Sequence, residues 1–235
     1  MAADWDAKFL DPIAAWLWHL GRLWAAVCRS RTSGTPGAAE MQVLLVHCHP
    51  CADSFSTALR DNAVAALTAA GNQVEVRNLY DEGFVPALTA EQRRHFYDET
   101  ANLVGIEDHV AALRRAEALL LVYPTWWFGP PAMLKGWLDR VFVPGVAFRL
   151  GGAGELRPLL INIRRIGVVT TCGSPHWRLW LVGWPDRRVV ARGLRPLCAR
   201  RCRLDWIALT CMDESTAAER DAFLAKLRAR LARWR

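Results

Sequence analysis

The 235-residue sequence predicts an α/β fold, a doubly wound five-stranded parallel sheet with an extra N-terminal amphipathic helix. Three observations carry this. From Met41 onward, five short apolar runs alternate with stretches of helical periodicity. The clearest of these runs are continuously apolar, as strands covered on both faces must be. The length, with 52% hydrophobic residues, is enough for one domain with a full core.

Taken in order, the first strand is Gln42–His47. The periodic stretch Ser54–Ala70 follows and stops at Gly71, which can adopt the left-handed residue after a helix. Gln73–Asn78 is the second strand. The long segment Leu79–Asn102 holds a short helix around Glu91–Asp98, and His109–Arg115 is helical. Glu117–Tyr123 is the third strand, and Pro131–Val141 is a helix opened by a proline pair. Arg165–Cys172 is the fourth strand. Trp177–Cys198 reads as helix with a break near Gly183–Pro185, and Leu204–Thr210 is the fifth strand. The last helix, Ser215–Trp234, has Ser215 as its cap and a buried stripe of Phe223, Leu224, Leu227 and Leu231. Gly151-Gly152-Ala153-Gly154 follows no strand in this reading and is a plain loop.

Residues 1–40 stand apart from residues 41–235. Ile13, Trp16, Leu17, Leu20, Trp24 and Val27 share one face of a helix over residues 9–28, with Asp11 and Pro12 at its start. A Ser/Thr/Gly/Pro-rich linker follows. The apolar stretch is too short and broken to span a bilayer, and acidic residues precede it where a signal peptide would be basic. Packing on the domain, a weak membrane-surface contact and a simple appendage stay open for it.

The net charge of +7 is uneven: residues 151–235 alone carry 17 basic and 7 acidic groups. A solvated arginine face explains this more simply than nucleic-acid binding, for which no recognition motif is present. Twelve tryptophans against three tyrosines imply much buried or ligand-facing indole. Seven irregularly spaced cysteines read as reduced thiols of a cytoplasmic protein. His47-Cys48-His49-Pro50-Cys51 lacks a second ligand pair at metal-site spacing, so no metal is expected.

In a doubly wound sheet, ligands bind beyond the carboxyl ends of the strands at the topological switch point. Three loops should therefore hold the site. In loop one, His49, Ser54, Phe55 and Ser56 sit at a strand-to-helix turn, where free N–H groups and the helix dipole favour a phosphate; ordinary capping by Asp53 or Ser54 is the alternative. There is no G-x-x-x-x-G-K-[ST] element. Loop two, Pro124-Thr125-Trp126-Trp127-Phe128-Gly129-Pro130-Pro131, places three aromatics between prolines and suits a planar heterocycle such as isoalloxazine. An aromatic dimer contact is compatible with that. Loop three, Thr170-Thr171-Cys172-Gly173-Ser174-Pro175, offers small residues to the other edge of such a ring.

These motifs together resemble one family. The runs His-Pro-…-Ser-Phe-Ser-x-Ala-Leu (49–59), Pro-x-Trp-Trp-Phe-x-x-Pro-Ala-x-Leu-Lys-Gly-Trp-x-Asp-Arg-Val-Phe (124–142) and Thr-Thr-x-Gly (170–173) resemble the NAD(P)H quinone oxidoreductases of flavodoxin-like fold, in order and spacing. The resemblance implies a flavoenzyme using FAD, with FMN as the other form, NAD(P)H as donor and ping-pong two-electron transfer to a small quinone. It implies a homodimer with its flavin sites at the interface. His49, Ser54, Phe55 and Ser56 would hold the phosphate and ribityl side. Pro124, Thr125, Trp126, Trp127 and Phe128 would line the ring, and Thr170, Thr171 and Gly173 would meet its pyrimidine edge. Lys135 and Asp139-Arg140 read as structural, an ion pair or helix-face charges. Where the family places pocket tyrosines and a histidine, this chain has Phe148, Leu150, Arg178 and Trp184. That departure keeps a second reading in view, an electron carrier or regulatory flavin protein with little NAD(P)H turnover. His176 is a substitute proton source or a plain loop histidine.

Overall fold

The computed structural model describes residues 40–152 and 155–234. The helix read over residues 9–28 lies outside the described residues.

The five strands expected from the apolar runs form one parallel sheet. In chain order they are β1 (Gln42–His47), β2 (Gln73–Asn78), β3 (Ala118–Pro124), β6 (Arg165–Thr171) and β7 (Arg203–Leu209), arranged β2-β1-β3-β6-β7. The middle strands are buried along their length because helices cover both faces. Alternate residues divide between those faces. Val43, Leu45, Leu120, Val122 and Val169 meet α1 (Phe55–Ala69) and α7 (Ala217–Leu231). Leu44, Val46, Leu119, Leu121 and Val168 meet α3 (Glu107–Arg115) and α4 (Ala132–Val141). The helix after β1 thus packs on one face and the helix after β3 on the other. That divergence leaves a crevice beyond the ends of these neighbouring strands.

Local chemistry explains the helix boundaries. Ser54 caps α1 by accepting from the Thr57 N–H, and Thr216, not Ser215, caps α7 in a reciprocal bond with Glu219. The short α2 (Ala90–Arg94) is set by the same Thr89–Gln92 arrangement and ends before the Asp98 expected of it. Asn72 joins the two ends of the domain: it accepts from the Met41 N–H and donates to the carbonyls of Leu67 and Trp234.

Three expectations change. The long helix over Trp177–Cys198 is broken into α5 (His176–Leu181), α6 (Pro185–Arg188), a π-helical turn Val189–Leu194 and a closing 3₁₀ turn. Gly183 and Trp184 both take left-handed backbone at the break, where a continuous helix cannot run. The glycine-rich stretch from Gly151 does follow a strand: β4 (Phe148–Leu150) pairs antiparallel with β5 (Leu156–Pro158). Three-residue strands give too little alternation to register as a pattern. Arg140 is not a helix-face charge; it is buried, donates to the Val85 carbonyl and lies 5.1 Å from the centre of the Phe84 ring. Lys135 and Asp139 do form the expected exposed i,i+4 pair.

Gly167 on β6 tests the tightness of this packing. A Cβ there would lie 2.6 Å from both the Leu120 Cδ1 and the Trp234 ring. Gly167→Ala should lower the urea-unfolding free energy by about 1–3 kcal/mol through overpacking. A wild-type midpoint would show that the Trp234 ring yields freely.

Candidate active site

The three loops after β1, β3 and β6 converge on one cavity of about 850 Å³. His49, Ser54, Phe55 and Ser56 line it from loop one, and Pro124, Thr125, Trp126, Trp127 and Phe128 from loop two. Thr171, Cys172, Gly173 and Ser174 line it from loop three, with Arg178 from α5.

Loop one is held by its own bonds. The Cys51 N–H lies 3.0 Å and the Cys51 carbonyl 3.2 Å from His49 Nδ1, which ties the ring to the turn. The Thr57 hydroxyl donates to the Cys51 carbonyl. The first N–H groups of α1, those of Phe55 and Ser56, have no acceptor among the described residues. This is the arrangement that attracts an anion. Behind it lies His47, buried, with Nε2 3.4 Å from the Ser56 hydroxyl and no partner for Nδ1. Burial, with Arg60 nearby, lowers its pKa from 6.5 to about 4.

Loop two is a two-residue hairpin. Trp126 and Gly129 exchange N–H···O bonds of 3.0 and 2.9 Å, and Trp127 and Phe128 between them have φ of 48° and 61°. This turn normally takes Asn-Gly, because both central residues are left-handed. Two bulky aromatics there store strain of roughly 1–2 kcal/mol each. The result is a Trp127 side chain 96% exposed at the cavity wall. The N–H groups of Trp127 and Phe128 have no acceptor among the described residues. Loop two is anchored to loop three by the Thr125 N–H, which donates to the Thr171 carbonyl at 2.7 Å. It meets loop one where the Trp126 and His49 rings lie 6.1 Å apart.

In loop three, the Gly173 N–H is also without an acceptor among the described residues. A Cβ on Gly173 would lie 2.3 Å from Asp213 Oδ2, so only glycine lets that carboxylate close on the loop. Burial raises the Cys172 thiol pKa, which keeps it protonated and poorly nucleophilic.

Not every expected residue reaches the cavity. Thr170 is buried beneath the floor, its hydroxyl 2.8 Å from that of Thr125. Phe148 packs against the core and Leu150 points to solvent on the β4 hairpin; neither lines the cavity. The β4–β5 hairpin carries them away from the cavity of their own chain. His176 stacks edge-on against Trp184 at 4.9 Å and is not among the cavity residues. Met212 and Asp213, from the turn after β7, do line it and were missed. The rule that sites lie beyond strand carboxyl ends applies to β7 as well and was the available signal. The tryptophans divide: Trp137 and Trp234 are buried, whereas Trp126, Trp127, Trp177 and Trp180 are exposed on loop two and α5. Among the described residues no cluster of three or more metal-ligating side chains occurs.

Comparison with known proteins agrees with this geometry. Residues 41–234 match the family model described as flavodoxin-like fold. NAD(P)H dehydrogenase [quinone] 1 of Rattus norvegicus is 32% identical over 178 residues, 66% of this chain and 65% of that protein. The chain spans about half the length of several other curated relatives it matches. The structure of an NAD(P)H:quinone oxidoreductase from Methanothermobacter marburgensis superposes with a TM-score of 0.70 at 26% identity, covering 83% of this chain and 96% of that one. An FMN-dependent NADH-azoreductase from Bacillus anthracis, solved in complex with FMN, shares the fold with a TM-score of 0.65 at 15% identity, covering 81% and 97%.

Two outcomes follow from the strain and from His47. Trp127→Asn puts a residue tolerant of left-handed backbone at an exposed position, and should raise the urea-unfolding free energy by up to about 1 kcal/mol; a decrease would mean the indole is held by packing. The unfolded chain takes up a proton on His47 below pH 6.5 and the folded chain only near pH 4, so folding stability falls as pH drops through that window. In His47→Gln, urea titrations between pH 7 and 4 should show a shallower fall, and an unchanged slope would assign the loss to other groups.

Proposed function

The chain belongs to the flavodoxin-like-fold family over residues 41–234, and on that footing we propose that it is a flavin-dependent NAD(P)H oxidoreductase acting on quinones or related electrophilic acceptors by ping-pong two-electron transfer. One observation carries the reading. A single cavity joins acceptor-free N–H groups at the start of α1, on the aromatic hairpin and at Gly173. A flavin needs that combination: an anion site for its phosphate, a flat wall for its ring and donors for the ring's polar edge.

The donor set fits. Phe55 and Ser56 N–H, with the hydroxyls of Ser54 and Ser56 and the ring of His49, suit the phosphate and ribityl side. Trp127 and Phe128 N–H suit one edge of the ring, and Gly173 N–H the other. Thr171 shapes that second edge directly, while Thr170 supports it from below. Arg178 brings cationic charge to the anionic groups of the bound nucleotide, and Asp213 offers an acceptor to its hydroxyls. When bound, the flavin supplies the redox chemistry; the protein's part is to seat the ring, leave one face open and limit water.

FAD is the preferred form on the family resemblance, and FMN the alternative. The exposed Trp177, Trp180 and Leu181 on α5, next to Arg178 of the cavity wall, support a homodimer that covers this face and completes the site. The six cysteines among the described residues are free, in keeping with a cytoplasmic protein, and no nucleic-acid partner is proposed. Among the described residues no helix is long and apolar enough to cross a membrane.

Reconstituted with excess FAD or FMN, the protein should leave a desalting column yellow and oxidise NADPH in the presence of menadione. A colourless product overturns the proposal, and a yellow product without turnover points to the electron-carrier reading. Mass spectrometry of the released cofactor distinguishes FAD from FMN. Trp127→Ala removes an aromatic contact worth about 0.5–1.5 kcal/mol and should weaken flavin binding by up to roughly tenfold.

A further inference from the structure

Beneath the hairpin lies a carboxylate that this chemistry does not use. Asp186, on α6 just after the left-handed Trp184, is 2% exposed. No cation pairs with it among the described residues, and burial raises its carboxyl pKa above the ordinary range. A buried carboxylate lowers the stability of a fold unless its bonds are complete. The Asp186 carboxylate accepts two and the residue's backbone N–H donates a third, and of the three, two lead to the hairpin. Its Oδ2 accepts from the Thr125 hydroxyl at 2.7 Å, its backbone N–H donates to the Phe128 carbonyl at 3.2 Å, and its Oδ1 accepts from the Arg187 N–H at 2.7 Å.

The proton count shows that the carboxylate is more than a partner for stray hydroxyls. Thr125 and Thr170 have their hydroxyl oxygens 2.8 Å apart, and the Thr170 hydroxyl lies 3.4 Å from the Thr171 carbonyl. The two threonines could therefore satisfy each other, with Thr125 donating to Thr170 and Thr170 to that carbonyl. With Asp186 ionised the chain runs the other way: Thr170 donates to Thr125, and Thr125 to the carboxylate. What Asp186 adds is mechanical. Thr125 and Phe128 stand before and within the strained turn, and Asp186 binds both to α6. A conformation that costs energy locally persists only where its surroundings over-determine it.

We propose that Asp186 is a positioning residue, acting through Thr125 and the Phe128 carbonyl to hold the Trp126–Gly129 hairpin in the geometry that seats the flavin ring. This rests on the flavin reading above.

The test is the dissociation constant of oxidised FMN and FAD, measured by quenching of flavin fluorescence at pH 7. Urea unfolding runs in parallel on wild type, Asp186→Asn, Asp186→Ala, Thr125→Val and the Asp186→Ala/Thr125→Val pair. Asparagine keeps an acceptor for the Arg187 N–H and turns an amide donor toward Thr125, whose hydroxyl then donates to Thr170. It should bind flavin within about threefold of wild type. Asp186→Ala and Thr125→Val each lose the side-chain link of the clamp, the Thr125 hydroxyl to Oδ2, while the backbone link to Phe128 stays, and each should bind about tenfold more weakly or worse. The double variant should be no weaker than the weaker single, because both remove the same contact.

Wild-type affinity in Asp186→Ala overturns the proposal. So does an asparagine variant as weak as the alanine one, which would make charge rather than position decisive, and so do losses that add. If Asp186→Ala does not fold, Thr125→Val decides, since it keeps the shape and removes only the hydroxyl; wild-type binding by it is then the overturning result. Wild-type protein that binds neither flavin overturns the flavin reading and this proposal with it. Wild-type binding that Asp186→Ala leaves unaffected overturns this proposal alone.

Discussion

The connections that leave β1 and β3 pack on opposite faces of the sheet, and the rest of the site depends on that divergence. Strands hydrogen-bonded side by side end together, but their following helices draw the chain apart and open a crevice that neither loop can fill. The crevice is bordered on one side by the start of α1, where backbone N–H groups are unpaired by the geometry of any helix. On the other side is a hairpin too short to fold its aromatics back into the core. An anion site and a flat apolar wall are thus placed together by topology.

Stability is given up around this crevice in several identifiable ways. Trp127 and Phe128 occupy backbone that bulky residues avoid, and Trp127 is left in solvent. His47 is buried neutral with one ring nitrogen unpartnered, and Asp186 is buried without a cation among the described residues. Each carries an energetic cost that a chain under selection for stability alone would remove. Buried polar atoms without a partner also occur away from the cavity, on Arg77, Asn78, Arg165 and Trp206, but the left-handed aromatic pair and the buried carboxylate meet at this one cavity wall, which is the pattern of a working site. Arg140 is a useful contrast. It is buried too, but far from the cavity wall, where it joins α4 to the Val85 carbonyl and the Phe84 ring as a structural group.

The sheet was legible because it depends on local pattern. Five apolar runs and the helices between them can be read from residue type alone, and strand positions agree within one or two residues. The first and second loops were legible for the same reason: a strand-to-helix turn and an aromatic run between prolines keep their meaning in any tertiary context. What stayed illegible has a different cause. Whether Phe148, Leu150, His176 and Thr170 line the cavity of their own chain depends on a hairpin, a broken helix and the side of a strand on which a hydroxyl points, none of which residue type records. For Asp213 the strand-end rule points to the turn after β7 but not to a residue within it; only the close approach at Gly173 singles this carboxylate out.

By itself the sequence determined the strand and helix order, the two-faced burial of the sheet, and the residue types available at its carboxyl edge, because these follow from hydrophobic period and turn chemistry. Only the tertiary structure decided which of those residues share a cavity, that the Trp127-Phe128 turn is left-handed, and that Asp186 lies beneath it, some sixty residues farther along the chain. The physical reason is the range of the interactions involved. Periodicity is written in neighbours a few positions apart, while a hydrogen bond between distant loops exists only once the sheet has brought their strands to a common edge.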